Sequence, residues 1–320
     1  MALEIGANHF QMTYYFMLLV LVLGVAYLID AIKKKKVKHF FISTGLLIAA
    51  VILGVSANAT YIMGTKEYAD WSTRGKSVLT INPDGSPKEN IEGLDKEYIT
   101  QYSYGIVESL NLFVPRLFGG SNNEDLGTES KAYEYLVEQG LPRTRALEFS
   151  SALPLYWGNQ PGVAAPAYIG AIVIFLFVLG LFLVKGRLKW WLLGGTLLSL
   201  FLSWGKNFGL LTDFMIDYFP LYNKFRAVSS IQVIVELCAP VLAVMALAQV
   251  FKPSVEKSKK LRALKMSFLI VIAIGIGLFL IKSVFDFSGL NDSTYQKYFG
   301  DEVMTMIKRD REAVQPPYPF

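Results

Sequence analysis

The chain has 320 residues, 53% of them hydrophobic and 18% charged, with a formal net charge of +5 and a mean hydropathy of +0.38. Soluble domains carry about 25% charged residues. Here the apolar excess sits in blocks such as Met17–Ile29 and Ser267–Ile281, which approach the length that crosses a hydrocarbon core. Disorder, collagen and disulfide scaffolds are excluded, and a soluble enzyme is disfavoured. One cysteine, Cys238, inside an apolar block, permits neither an internal disulfide nor a cysteine-rich metal site. Two histidines, His9 and His39, leave little material for a metal centre, so neither metal nor cofactor is expected. The fold class that follows is an all-α integral membrane protein.

In chain order, hydropathy predicts six transmembrane helices: Met12–Ile32, Phe40–Met63, Ala165–Val184, Leu188–Trp204, Val228–Phe251 and Met266–Phe285. The third and fourth are joined so closely that they predict a tight helical hairpin. Lysine and arginine collect after the first, third and fifth spans: Lys33–Lys36 with Lys38, then Lys185, Arg187 and Lys189, then Lys252, Lys257, Lys259, Lys260, Arg262 and Lys265. Those loops hold fourteen basic residues against one acid, Glu256. Segment 64–164 is the reverse, nine basic residues against fourteen acidic. Positive charge marks the cytoplasmic side, so the three basic loops face inward. Both termini, the roughly 100-residue insertion 64–164 and the loop 205–227 face outward. The net charge is thus a topological signal rather than a nucleic-acid footprint. Tyr14, Tyr15 and Trp204 mark outer boundaries, and Trp190 with Trp191 an inner one. The organisation expected is 1–63 for the first two spans, 64–164 for the extracytoplasmic insertion, 165–285 for four further spans, and 286–320 for an extracytoplasmic tail ending in Pro-Pro-Tyr-Pro-Phe.

The chemistry-bearing residues lie on the outer side. Ser103–Gly120 is apolar and predicts an interfacial helix that breaks at Pro115 and Gly119-Gly120. Within it Glu108 and Arg116 either cap and snorkel, or Arg116 meets an anionic headgroup. Lys131–Glu138 and Arg143–Ser150 read as short helices. Tyr156-Trp157-Gly158-Asn159-Gln160-Pro161 pairs aromatic rings with amides. Such a set suits a sugar, with Trp157 stacking and Asn159 and Gln160 bonding hydroxyls, or else it is an aromatic belt before a span. Lys206, Lys224 and Arg226 flank the outer ends of two spans. They are either snorkelling anchors or contacts for a lipid phosphate, with arginine making the forked contact. Leu210–Tyr218 predicts a short amphipathic helix. It carries Asp213 and Asp217 on one face, weak candidates for a base or metal ligand beside the alternative of a solvated face. Glu236 is an intramembrane carboxylate, costly at about 2.5–3.5 kcal/mol on insertion scales and therefore a functional candidate. Gly170, Gly180, Gly194, Gly195, Gly275 and Gly277 read as close-packing positions between spans.

The stretches Glu108–Ser121, Tyr156–Pro161, Leu202–Phe208 and above all Phe219–Ser230 (FPLYNKFRAVSS) resemble the YfhO family of bacterial membrane proteins. Its members are longer polytopic proteins similar in plan to glycosyltransferases of the GT-C class. The resemblance implies a bacterial cytoplasmic-membrane protein that takes a sugar from a polyprenyl-phosphate carrier to glycosylate cell-envelope polymers. GT-C enzymes usually place an acidic catalytic residue in the first outer loop, which has no counterpart here. The chain therefore reads as the middle of such a protein, inactive alone if it lacks its catalytic base. The alternatives are a flippase for lipid-linked sugar and a non-catalytic envelope-assembly protein.

Overall fold

The computed structural model describes residues 2–76, 81, 84–87, 92–282 and 284–314, the side chain of Lys282 excepted; the terminal 315–320 lies outside them. Among the described residues the secondary structure is helical, with isolated bridge pairs and no strand. The helices in chain order are α1 (Ala2–Gly6), α2 (Phe10–Lys33), α3 (Val37–Ser56), α4 (Ala59–Asp70) and α5 (Lys96–Ile99). Then come α6 (Lys131–Glu138), α7 (Arg143–Ser150), α8 (Ala171–Leu183), α9 (Arg187–Ser203) and α10 (Gly209–Tyr218). The last are α11 (Val233–Phe251), α12 (Lys257–Lys282), α13 (Asp292–Phe299) and α14 (Asp301–Val314).

Among the described residues four helical segments are long and apolar enough to cross a membrane: α2, α3, Val228–Phe251 and Lys257–Ile281. The second is shorter than hydropathy predicts, because the helix breaks at Ala57-Asn58 and α4 begins anew at Ala59. The Asn58 amide there donates to the carbonyls of Ala2 and Gly54, at 3.1 and 3.3 Å. In the third region only Ala171–Leu183 is helical, about 20 Å at 1.5 Å per residue against a core of about 30 Å. Gly170, at φ 111°, starts that helix from a conformation few other residues adopt. Helix α12 begins at Lys257, nine residues ahead of the predicted span.

The chain divides into two compact bodies, residues 1–101 with 185–238, and residues 102–184 with 239–320. In the first, α2 packs on α9. Gly195 makes that approach possible: a Cβ there would meet Leu19 Cδ1 at 2.5 Å and Cys238 Sγ at 3.1 Å. Trp191 Nε1 donates to the Leu19 carbonyl at 3.0 Å. Where α2 ends and α9 begins, Asp30 accepts from Lys34 (3.0 Å) and Arg187 (2.7 Å). Helix α3 packs on α2 yet has no buried residue, so its Phe, Leu and Ile side chains present an almost unbroken apolar surface.

In the second body α8 packs along α12, and Gly180 lies against α11, where a Cβ would meet Leu242 Cγ at 2.7 Å and its carbonyl oxygen at 2.9 Å. Leu179, Leu183, Ala246 and Ala263 form the core of this contact. Phe113, Val114 and Leu117 pack against Val271 and Leu278 of α12, so the apolar stretch after Ser103 is largely buried. It contains a 3-10 turn, Val107–Leu112, rather than the predicted longer helix. Helices α6 and α7 occur where the sequence places them. The chain after 286 folds back on them: Met304 and Ile307 of α14 share a core with Ala132, Leu153 and Leu155.

Candidate functional site

The FPLYNKFR stretch is a loop of the first body, held at both ends by residues in the left-handed region, Leu221 (φ 65°) and Ala227 (φ 57°). Each costs about 1–2 kcal/mol for a side chain with a Cβ, so surrounding contacts must hold them. They come from Arg74, Glu92, Gly93 and Leu94 and from Gln11 and Tyr14 of α2. Asn223 accepts from the Leu94 amide (3.0 Å) through its carbonyl and donates to the Glu92 carbonyl (2.9 Å) through its side chain. Gly93, at φ 115°, lies so near Asn223 that a Cβ would meet its side-chain nitrogen at 2.9 Å. Lys224 Nζ donates to the Arg74 carbonyl (2.9 Å) and pairs with Glu92 (3.1 Å), while Arg74 Nε donates to the Lys224 carbonyl (3.0 Å). Tyr14 donates to the Pro220 carbonyl and Gln11 to that of Arg226, at 2.8 and 2.6 Å.

Arg226 is differently placed. Its side chain is exposed and its guanidinium donates to the Tyr98 hydroxyl (2.6 Å), 5.3 Å from the ring centre. A phenol is a neutral partner, so the charge is delivered to the surface on an ordered side chain. Tyr222 beneath is buried, burial pushes its phenol above the ordinary range, and its hydroxyl has no hydrogen-bond partner among the described residues. Lys206, exposed on the 3-10 turn Gly205–Phe208, belongs to the same body. That turn and Tyr222–Lys224 both pack on α10. On α10, Asp213 pairs with Lys96 at 2.6 Å, and Asp217 is exposed.

The remaining candidates lie in the second body. Arg116, at φ 60°, is paired with Glu124 at 2.5 Å. Trp157 is 5% exposed, its ring enclosed by Phe118, Phe285 and Phe287 at 4.3, 5.2 and 5.3 Å. The indole faces are therefore covered, and its N–H has no hydrogen-bond partner among the described residues. Gln160 is buried, whereas Asn159 is exposed. The turn is organised by Glu108, a buried carboxylate that accepts from the Gly105 amide (2.9 Å), the Asn159 amide (3.0 Å) and the Tyr156 hydroxyl. Burial, then the Glu108 charge, pushes the Tyr156 phenol well above its usual range. Glu108 is thus a structural anchor for the Tyr156–Gln160 turn. Glu236, on α11, is exposed on the surface of the chain.

Four residues that sequence reasoning passed over matter here. Arg74 brings a second arginine to the Lys224 loop, and Tyr98 holds Arg226. Arg311, fully buried in the supposed tail, makes a two-pronged pair with Asp292 (2.7 and 2.8 Å) and donates to the Pro154 and Phe287 carbonyls. Asp310 accepts from Ser130 Oγ (2.7 Å) and the amides of Lys131 (2.5 Å) and Ala132 (3.2 Å), capping α6 from a distant part of the chain. A signal existed for the last two: charged residues at the register of Met304 and Ile307 on an amphipathic helix. Among the described residues no group of three or more His, Cys, Asp or Glu side chains is gathered for a metal ion. No known protein family, curated protein or solved structure matches this chain.

Proposed function

We propose that the chain is a polytopic protein of a bacterial cytoplasmic membrane, glycosyltransferase-like in plan, that engages a polyprenyl-phosphate-linked sugar at its extracytoplasmic face for envelope-polymer glycosylation. The observation that supports this best is Arg226: an exposed guanidinium oriented by a tyrosine, on a loop kept in two strained left-handed residues. Strain retained by surrounding contacts is typical of ligand clamps, and a planar fork fits phosphate oxygens. Lys224, paired with Glu92, and Arg74 brace the loop; Arg74 adds positive potential behind it, with Lys206 on the neighbouring turn. In the second body Arg116 is paired with Glu124. In that body, taken by itself, Asn159 is an exposed amide able to bond a sugar hydroxyl, on the turn that Gln160 and Trp157 fill from within.

The reading carries six crossings, with the basic loops inside. Four crossings would leave loop 205–227 on the same side, since α8 and α9 are removed as a pair. They would, however, put Lys185, Arg187 and Lys189 outside, against the positive-inside rule. In the transfer step an acceptor hydroxyl attacks the anomeric carbon, the bond from that carbon to the carrier phosphate breaks, and the hydroxyl proton passes to a carboxylate. The lipid phosphate departs with the cations stabilising its charge. Asp217, exposed, and Asp213, engaged by Lys96, are the reserve carboxylates.

The test is binding of fluorescent polyprenyl phosphate to the intact chain in lipid nanodiscs. Arg226→Ala removes a charge-assisted contact of about 1.5–3 kcal/mol, so affinity falls roughly tenfold to a hundredfold, and Arg226→Lys restores part of it. Undiminished binding by Arg226→Ala refutes the assignment.

A further inference from the structure

We infer that α10 is an interfacial helix whose exposed ridge is immersed among the acyl chains of the extracytoplasmic leaflet. Leu210, Phe214 and Tyr218 recur every four residues and so share one face. They are 83%, 54% and 75% exposed, and Leu221, at 61%, continues the row past the helix end. Phe214 and Tyr218 rings lie 5.5 Å apart, which makes the row continuous. The opposite face is already used, with Thr212 and Met215 buried and Thr212 Oγ1 donating to the Gly205 carbonyl at 2.8 Å. Ten residues span about 15 Å, half a hydrocarbon core, so this helix does not cross.

Two facts identify lipid, rather than another protein, as what covers the ridge. The first is reach. Leu221 lies seven positions before Val228, where a membrane-length segment begins. Even fully extended those seven steps cover about 25 Å, and the turn at Tyr222–Lys224 shortens that, so the ridge stays near the end of a span. The second is charge. Lys224 and Arg226 stand six and eight residues past the helix end at Tyr218, and Lys96 pairs with Asp213 at its polar margin, where Asp217 also lies. Large apolar side chains bordered by cations are the composition that seats a helix at the headgroup boundary. The inference rests on the membrane reading but not on lipid-phosphate recognition by Arg226.

The experiment uses the full chain in nanodiscs, with Cys238→Ser to clear the native thiol and an environment-sensitive fluorophore on Leu210→Cys, Phe214→Cys or, as a control in the extramembrane part, Glu129→Cys. The first two are expected to give blue-shifted emission, quenching by brominated acyl chains and loss of quenching by aqueous iodide, with the control showing the reverse. Iodide quenching at positions 210 and 214 equal to the control would overturn the inference. So would protection from both quenchers, which would mean that a second copy or another protein covers the ridge. The side chains replaced at 129, 210 and 214 are exposed, and an unchanged elution volume and helical circular dichroism relative to the wild type report that each labelled protein, with its buried Cys238→Ser change, is still folded.

Discussion

Arg311 carries the clearest energetic consequence at the scale of single residues. It is fully buried, and its only charged partner among the described contacts is Asp292. Removing one member of such a pair strands the other and costs about 3–5 kcal/mol, whereas replacing both with apolar residues of similar volume is often neutral. Arg311→Ala should therefore unfold the second body in detergent well below the wild-type temperature, and Arg311→Met with Asp292→Leu should recover much of the loss. A single variant as stable as wild type would show the pair to be incidental. The same scale shows where sequence reading stops. That Lys224 and Arg226 stand before a span is visible in the chain. That Glu92 neutralises one, while Tyr98 holds the other exposed, is not, because those partners lie more than 120 residues away. Trp157 makes the point again: its chemistry suits a sugar, but the three phenylalanines that enclose it are distributed from 118 to 287.

Helix packing is where glycine positions acquire distinct meanings. Gly180 meets Leu242 with no room for a methyl group, while nothing lies within 4 Å of a Cβ at Gly277. Both sit in apolar helices and look alike in sequence. Gly180→Ala should cost about 1–3 kcal/mol by overpacking, and Gly277→Ala should be neutral or mildly stabilising, since glycine is the poorer helix former. Thermal melts of the two proteins in the same detergent check this, and equal destabilisation would contradict the packing described. The apolar helices themselves were legible because hydropathy is a local signal. The break at Ala57-Asn58 was not, since no proline or glycine marks it and the Asn58 amide finds Ala2 only through the fold. Likewise the charges of α14 read as a solvated tail, although Asp310 and Arg311 point into the protein.

At the scale of the whole molecule, the functional account needs the acidic segment 64–164 and the loop 205–227 on one side of the membrane and the basic loops on the other. The decisive loop is 185–189, which changes sides between four and six crossings. Impermeant maleimide labelling of intact cells measures this directly in a Cys238→Ser background, with single cysteines at Lys35, Lys185, Ser258, Glu129 and Asp217. The account predicts labelling of Glu129→Cys and Asp217→Cys from outside, and of the other three only after the membrane is opened. Outside labelling of Lys185→Cys would contradict the six-span topology, and failure to label Asp217→Cys until the cells are opened would contradict an extracytoplasmic site.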